Sequence, residues 1–295
     1  MKEAMIIINP SSGKEEAVDY KKKAIHNLEG YEVFVRETKG EGDATLFAEE
    51  ACKRGFDLII CMGGDGTVNE VINGMAEKPH RPELALVPLG TVNDFVRAIS
   101  LPLEPEEALE VLKSTNTREA DIGKVNDRYF INIIAVGALA EASFSTTAEQ
   151  KSKLGPLAYV VEGMKKMKEK QPFPLELSGE QNWSGDSLLT LIAMTNSIGG
   201  FESIAPEAEV DDGSLHVYII EDMPIPKFLL LLPKILAGKL TESPQVHHLK
   251  ASEIQASSSF DMKANIDGDE GCTLPLTVKS LPRHVKIRIP EGGSA

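Results

Sequence analysis

Residues 57–70, DLIICMGGDGTVNE, place the strongest constraint on what this chain can become. A short apolar run bounded by turn signals suits a strand buried in the middle of a parallel sheet, and residues 57–62 read as one. Val68, Val71, Ile72 and Met75 then recur at helical spacing, so Gly63, Gly64, Asp65 and Gly66 are expected to form a strand-to-helix turn. Such a turn offers backbone N–H groups and the positive end of a helix dipole to an anion, and glycine lets a phosphate approach the backbone. Asp65 breaks that pattern, because a carboxylate there repels a phosphate. A divalent cation reverses the repulsion, so Asp65 points to Mg2+ between protein and nucleotide. For one glycine-rich turn taken alone, a tight β-α connection with a helix-capping aspartate explains the residues equally well.

At 295 residues the chain has room for about two domains with ample core. Its formal charge of −14 argues against a nucleic-acid partner, since a phosphate backbone is repelled by any face that is not locally basic. Cys52, Cys61 and Cys272 lack metal-ligand spacing and sit in or beside apolar segments, as packing thiols in a reducing cytosol do. Residues 4–8 are too short an apolar run for a signal peptide and suit a first strand. Residues 228–240 are strongly apolar, but Pro233, Lys234 and Lys239 interrupt them well short of the ~20 residues that span a bilayer. The expectation is a soluble, cytoplasmic protein in peripheral contact with a membrane.

Residues 5–8 give the first strand, and Asn9, Pro10, Ser11, Ser12 and Gly13 form a polar loop before the helical pattern of Ala17, Ala24, Ile25 and Leu28. Asn9 lies at the C-terminal end of its strand, where open α/β sheets bind ligands, although a plain turn also accounts for this loop. Residues 31–38 read as a second strand, 43–54 as a helix, and 84–87 as a fourth strand that runs into Gly90 and another helix start. Four β-α units imply a parallel sheet with right-handed crossovers. Their loops converge on one edge, where Asn9, Thr38, Gly63, Gly64, Asp65, Gly66, Thr67, Val68, Asn69 and Thr91 would line one nucleotide cleft.

After residue 114 the pattern changes to short alternating runs at 122–125, 129–136, 175–177, 188–194, 215–220, 246–249, 254–256, 264–266, 274–278 and 285–289. By strand count this is a β-sandwich with helical insertions at 138–170 and 226–238. The expected division is an α/β nucleotide-binding domain over 1–118 and a β-sandwich domain over 119–295.

Five motifs occur in order: NPSSG at 9–13, GGDGTVN at 63–69, PLGTVNDFVR at 88–97, DDGSL at 211–215 and IDGD at 266–269. With them the chain resembles the diacylglycerol kinase catalytic family, and more closely its soluble bacterial lipid kinases, which are related to sphingosine and ceramide kinases and to NAD kinases. The resemblance covers nearly the whole chain. It implies a β-sandwich that threads back to the first domain, ATP and Mg2+ in the cleft between the two, and transfer of the ATP γ-phosphate to a lipid hydroxyl such as that of diacylglycerol. It also implies that Asn9, Thr38, residues 63–69 and Thr91 bind the nucleotide, with Asp65 linked to the catalytic Mg2+. By position, the Asp212 carboxylate with the Glu209 and Ser214 backbone carbonyls would hold a second, structural Mg2+; read without the family, Asp211 and Asp212 are a turn before a strand.

Similar kinases commonly carry Asp-Gly-Glu where this chain has Asp267, Gly268 and Asp269, followed by Glu270. The glutamate is the family's catalytic base. Aspartate is one methylene shorter, and positioning is much of what phosphoryl transfer requires. Either Asp269 or Glu270 could serve as the base; the assignment is Asp269 first and Asp267 second, and an acidic hairpin turn is the plain alternative. No lysine lies in the central motif, so cation and backbone must neutralise the phosphates.

A lipid substrate requires access to a bilayer. Lys151, Lys153, Lys165, Lys166, Lys168 and Lys170 outnumber Glu162 and Glu169, which makes that stretch locally basic, and Lys21, Lys22 and Lys23 form a weaker candidate. The expected partner is the lipid substrate, met transiently at the membrane surface, with a homodimer left open. The alternatives are an NAD kinase, which the central motif alone also fits, and a nucleotide-binding regulatory protein that has lost catalysis.

Overall fold

A computed structural model of the chain describes residues 1–12, 17–137, 172–200 and 204–292. It divides into two compact units, one of Met1–Ile122 with Pro282–Ala295 and the other of Gly123–Leu281.

The first unit is built on four parallel strands in the order β2 (Tyr31–Glu37), β1 (Lys2–Ile8), β3 (Leu58–Gly63) and β4 (Glu83–Pro88). All of β3 is buried, as a central parallel strand requires. One layer of core joins Ala24 and Leu28, from and just after α1 (Ala17–His26), to the sheet and to Ala108, Leu109 and Leu112 at α5 (Pro105–Val111). The helices α2 (Asp43–Arg54) and α3 (Asp65–Met75) pack closely at Gly74, where a methyl group would lie 2.3 Å from the Thr45 carbonyl oxygen. The helix expected over 43–54 is found there. Burial pushes the Cys52 thiol up to about 11 and the Cys61 thiol further, as packing thiols require.

Near residue 100 the chain adds α4 (Asp94–Ala98), and β5 (Thr117–Val125) leads out of the unit. The chain returns at the end of β15 (Leu276–Arg288), where Ile287 pairs with Leu84. Arg288 is buried there and donates to Glu83 Oε2 at 2.7 Å, Tyr31 Oη at 3.0 Å and the Leu112 carbonyl at 3.0 Å.

The second unit is antiparallel. Its strands run β14 (Asp269–Thr273), β13 (Lys263–Ile266), β7 (Ile133–Gly137), β9 (Trp183–Ala193), β8 (Phe173–Gly179), β12 (Glu253–Ser257) and the first part of β15. β10 (Leu215–Glu221) pairs with β9 and with β11 (Val246–Ala251). Alternating residues fill one apolar core through Phe130, Ile134, Phe173, Ile192 and Val217. A second core joins Leu188, Tyr218 and Ile220 to Phe228 and Leu231 of α6 (Ile225–Leu236).

Several boundaries differ from expectation. The run at 129–136 is two strands, β6 (Arg128–Phe130) and β7, because the backbone breaks at 131–132 to donate to a side chain. The runs at 274–278 and 285–289 belong to one strand, β15, which passes through Pro282. β14 and α5 were not expected. The helical insertion at 138–170 and its lysines lie outside the described residues. Lys21, Lys22 and Lys23 are each paired with an acid, Glu37, Asp19 and Glu106 respectively.

Candidate active site

β3 ends at Gly63 and α3 begins at Asp65, so Gly64 alone separates strand from helix and the expected four-residue turn is shorter than the motif suggested. The first N–H of α3 to bond back along the helix is that of Val68, to the Gly64 carbonyl at 3.1 Å. The N–H groups of Gly66 and Thr67 therefore have no acceptor within the helix, while that of Asp65 turns to its own carboxylate, and all stand at the positive end of the helix dipole. At Gly63 a methyl group would lie 2.5 Å from Thr67 Oγ1, whereas at Gly66 nothing lies within 4 Å. Gly66 is exposed, so its lack of a side chain leaves room for something other than protein.

Asp65 is held from the neighbouring β4–α4 loop. Its Oδ2 accepts the Asn93 N–H at 2.8 Å and its Oδ1 the Asp94 N–H at 2.7 Å. Asn93 adopts a left-handed backbone, with φ of 55°, and donates its side-chain amide to the Gly90 carbonyl at 3.0 Å. Burial first, and the negative charge of Asp94 second, raise the Asp65 carboxyl above its ordinary value against the pull of these N–H groups. A divalent cation beside two mutually repelling carboxylates removes that cost, so Asp65 with Asp94 fits a hard cation.

Beside this turn lies a cavity of about 310 Å³ lined by Asn9, Ser11, Thr38, Lys39, Gly66, Thr67 and Glu70, among others. The Asn9 amide donates to Thr67 Oγ1 at 3.3 Å, and the Thr38 N–H to the Ile8 carbonyl at 2.9 Å, so β1, β2 and α3 hold these groups in fixed register. Four of the expected nucleotide residues, Asn9, Thr38, Gly66 and Thr67, thus surround one space. Val68 faces the core, Asn69 Oδ1 accepts the Asn73 amide at 3.0 Å, and Thr91 is exposed on the loop between Gly90 and Asn93. Lys39 and Glu70 were not singled out from sequence, and Asn93 and Asp94 only as members of the motif at 88–97. Lys39 follows Thr38 directly, and it brings to the cavity the positive charge that the central motif lacks.

In the second unit the acidic hairpin sorts its three carboxylates. Asp267 and Gly268 are the two residues between β13 and β14, with φ of 49° and 99°, as a two-residue hairpin with Asp-Gly favours. Asp267 Oδ2 accepts the Ile131 N–H at 2.7 Å, and Oδ1 accepts those of Asn132 and Ile133 at 2.9 and 2.8 Å. Glu270 is paired with Lys263. Asp269 is exposed. Asp267 is thus largely occupied in holding the hairpin, and Asp269 is the carboxylate presented to solvent.

Glu209, Asp212 and Ser214 lie in one turn before β10, but the Asp212 carboxylate is already engaged. Its Oδ2 meets His216 Nε2 at 2.7 Å and Lys250 Nζ at 2.9 Å, and its Oδ1 accepts the Ser214 N–H at 2.9 Å. Burial opposes the charge on Asp212, yet these hydrogen bonds outweigh it and hold the carboxyl below its ordinary value. A cation bound through Asp212 would have to displace an ammonium, so these residues as arranged do not fit one. Among the described residues no cluster of three or more His, Cys, Asp or Glu side chains is placed to hold a metal.

Residues 3–125 match the family model for the diacylglycerol kinase catalytic domain, and residues 132–289 that for the YegS C-terminal NAD kinase beta sandwich-like domain. A diacylglycerol kinase of Staphylococcus haemolyticus is 41% identical over 98% of this chain and 88% of that protein. The chain belongs to the diacylglycerol kinase family. Another such kinase, from Staphylococcus epidermidis, is 40% identical over 98% of this chain and 93% of its own length. The crystal structure of a diacylglycerol kinase from Bacillus anthracis superposes with a TM-score of 0.84 at 27% identity, covering 98% of this chain and 97% of that one. As a member of the diacylglycerol kinase family the chain is a lipid kinase, with an α/β domain and a β-sandwich as expected, and the family implies ATP as its co-substrate.

Proposed function

We propose that this kinase transfers the γ-phosphate of ATP to the hydroxyl of diacylglycerol at a membrane surface, with Mg2+ as its cation. The observation that carries the reading is the open N-terminal turn of α3, where the Gly66 and Thr67 N–H groups and an exposed Gly66 stand beside a clamped carboxylate. The turn binds the ATP phosphates through those N–H groups, Asn9, Thr38 and Thr67 position the nucleotide, and Lys39 offsets phosphate charge. Mg2+, held through Asp65 and Asp94, would offset the remaining charge on the phosphates. Asp269 accepts the proton of the lipid hydroxyl as its oxygen bonds to the γ-phosphorus, and the bond from that phosphorus to the ADP oxygen breaks. Asp267 serves as the brace that keeps Asp269 in place.

The test is phosphate transfer from ATP to diacylglycerol in mixed micelles over a Mg2+ titration, for wild type and Asp65→Asn. The substitution keeps the size of the side chain but removes its charge, and a loss of about 10²-fold in kcat at saturating Mg2+ is expected. Wild-type turnover by the variant would overturn the role given to Asp65.

A further inference from the structure

Residues 223–240 contain three lysines, Lys227, Lys234 and Lys239, and no acid, in a chain where Asp and Glu outnumber Lys and Arg by 45 to 31. Most of this stretch is α6. Phe228 and Leu231 turn inward, against Leu188, Tyr218 and Ile220. Lys227, Leu230, Lys234 and Ala237 follow one another at steps of three and four, which places them in one stripe on the solvent side, about 110° around the helix from Phe228 and Leu231. Leu230 is 73% exposed, more than any other large apolar residue described except the N-terminal Met1. Pro233, beside this stripe, is also exposed.

A surface helix whose inner face fills a core ordinarily turns polar side chains outward. Here the outward stripe alternates lysine with apolar residues, the pattern of a helix lying in a membrane interface. Lys234 also reaches the Glu242 carbonyl at 3.5 Å, and Lys239 pairs with Glu242 at 3.6 Å; both contacts are exposed and weak. We propose that the outer face of α6 docks this kinase on an anionic bilayer, with Leu230 entering the acyl boundary and Lys227 and Lys234 meeting lipid phosphates. The charge of the stripe, opposite to that of the chain as a whole, selects an anionic lipid surface as its occupant. The inference rests on the reading of the protein as a lipid kinase working at a membrane.

The test is sedimentation of the full chain with vesicles of phosphatidylcholine alone or with phosphatidylglycerol, for wild type, Leu230→Glu and Lys227→Gln/Lys234→Gln. Thermal melts and turnover of a short-chain, monomeric diacylglycerol report folding and chemistry separately. Wild type is expected to bind the anionic vesicles and weaken with salt. Leu230→Glu should lose about tenfold or more of that binding, and the lysine pair about fivefold per charge removed, while melting temperature and turnover of the monomeric lipid stay at wild-type values. If wild type binds vesicles and Leu230→Glu binds equally well, the docking face is not α6. If wild type turns over monomeric lipid but binds no vesicle, the membrane reading itself fails. A shift from dimer to monomer in Leu230→Glu, with vesicle binding unchanged, would make the occupant a second copy of the chain and overturn the proposal.

Discussion

Gly64 and Gly90 pack backbone against backbone, so that a methyl group on Gly90 would lie 2.7 Å from the Gly64 Cα. This contact joins the turn before α3 to the loop before α4, and it sets Asp65 within reach of the Asn93 and Asp94 N–H groups. Gly90→Ala should therefore cost about 1–3 kcal/mol in chemical denaturation, since neither backbone can yield cheaply. Gly66→Ala is the informative contrast. Its methyl group meets no protein atom within 4 Å, and a helix favours alanine over glycine. It should fold with at least wild-type stability yet bind ATP more weakly in calorimetry. Wild-type ATP affinity would show that no phosphate approaches this turn.

The three carboxylates of the β13–β14 hairpin should separate by experiment. Asp267→Ala leaves three backbone N–H donors without their acceptor and is expected to destabilise the protein by about 2–4 kcal/mol. Asp269→Asn should leave the melting temperature unchanged and lower kcat by about 10²–10⁴-fold. Glu270→Gln, which only weakens an exposed pair with Lys263, should change neither by much. A larger kinetic loss in Glu270→Gln than in Asp269→Asn would reassign the base.

Arg288 ties the returning chain into the first unit through Glu83, Tyr31 and the Leu112 carbonyl. Arg288→Ala removes a buried cation and strands these partners, Glu83 being partly exposed. A loss of about 2–4 kcal/mol is expected from urea unfolding of the full chain.

One acid-sensitive contribution can be assigned. Glu50 receives Arg36 through both oxygens and Arg54 through one, and the hydrogen bond from Arg36, more than that from Arg54, holds its carboxyl below its ordinary value of 4.5. A lowered folded value means that the stabilisation is present above about pH 4.5 and is lost as pH falls through the folded value. Solvent screens both pairs, so the gain is under about 1 kcal/mol each. In Glu50→Gln, pH-dependent melting should show a smaller loss of stability between pH 5 and the acid limit, about as the wild type minus this one group.

The first unit was readable in the sequence because its signals are local. The apolar run ending in Gly63 and the helical spacing of Val68, Val71, Ile72 and Met75 each specify one element. β14 was not readable, since Asp269–Thr273 carries no apolar alternation and is a strand only because the Asp267–Gly268 turn folds it back on β13. The runs at 274–278 and 285–289 read as separate strands, yet one strand, β15, passes through Pro282 between them. At the site, Asn93 and Asp94 were seen only as part of the motif at 88–97, without a role, because they hold Asp65 with backbone N–H groups, which leave no mark on residue type. Lys250 meets Asp212 across 38 residues, through the pairing of His216 with Lys250 in β10 and β11, and no motif records that.

The central claim is the transfer of ATP phosphate to a lipid hydroxyl. Its most direct measurement supplies ATP labelled in the γ-phosphate, with Mg2+, to diacylglycerol and other lipid alcohols in mixed micelles, beside NAD and a control without acceptor. The account predicts label on diacylglycerol, dependent on Mg2+ and reduced about 10²-fold in Asp65→Asn. Label on NAD and on no lipid, or ATP binding without transfer to any acceptor, would contradict it.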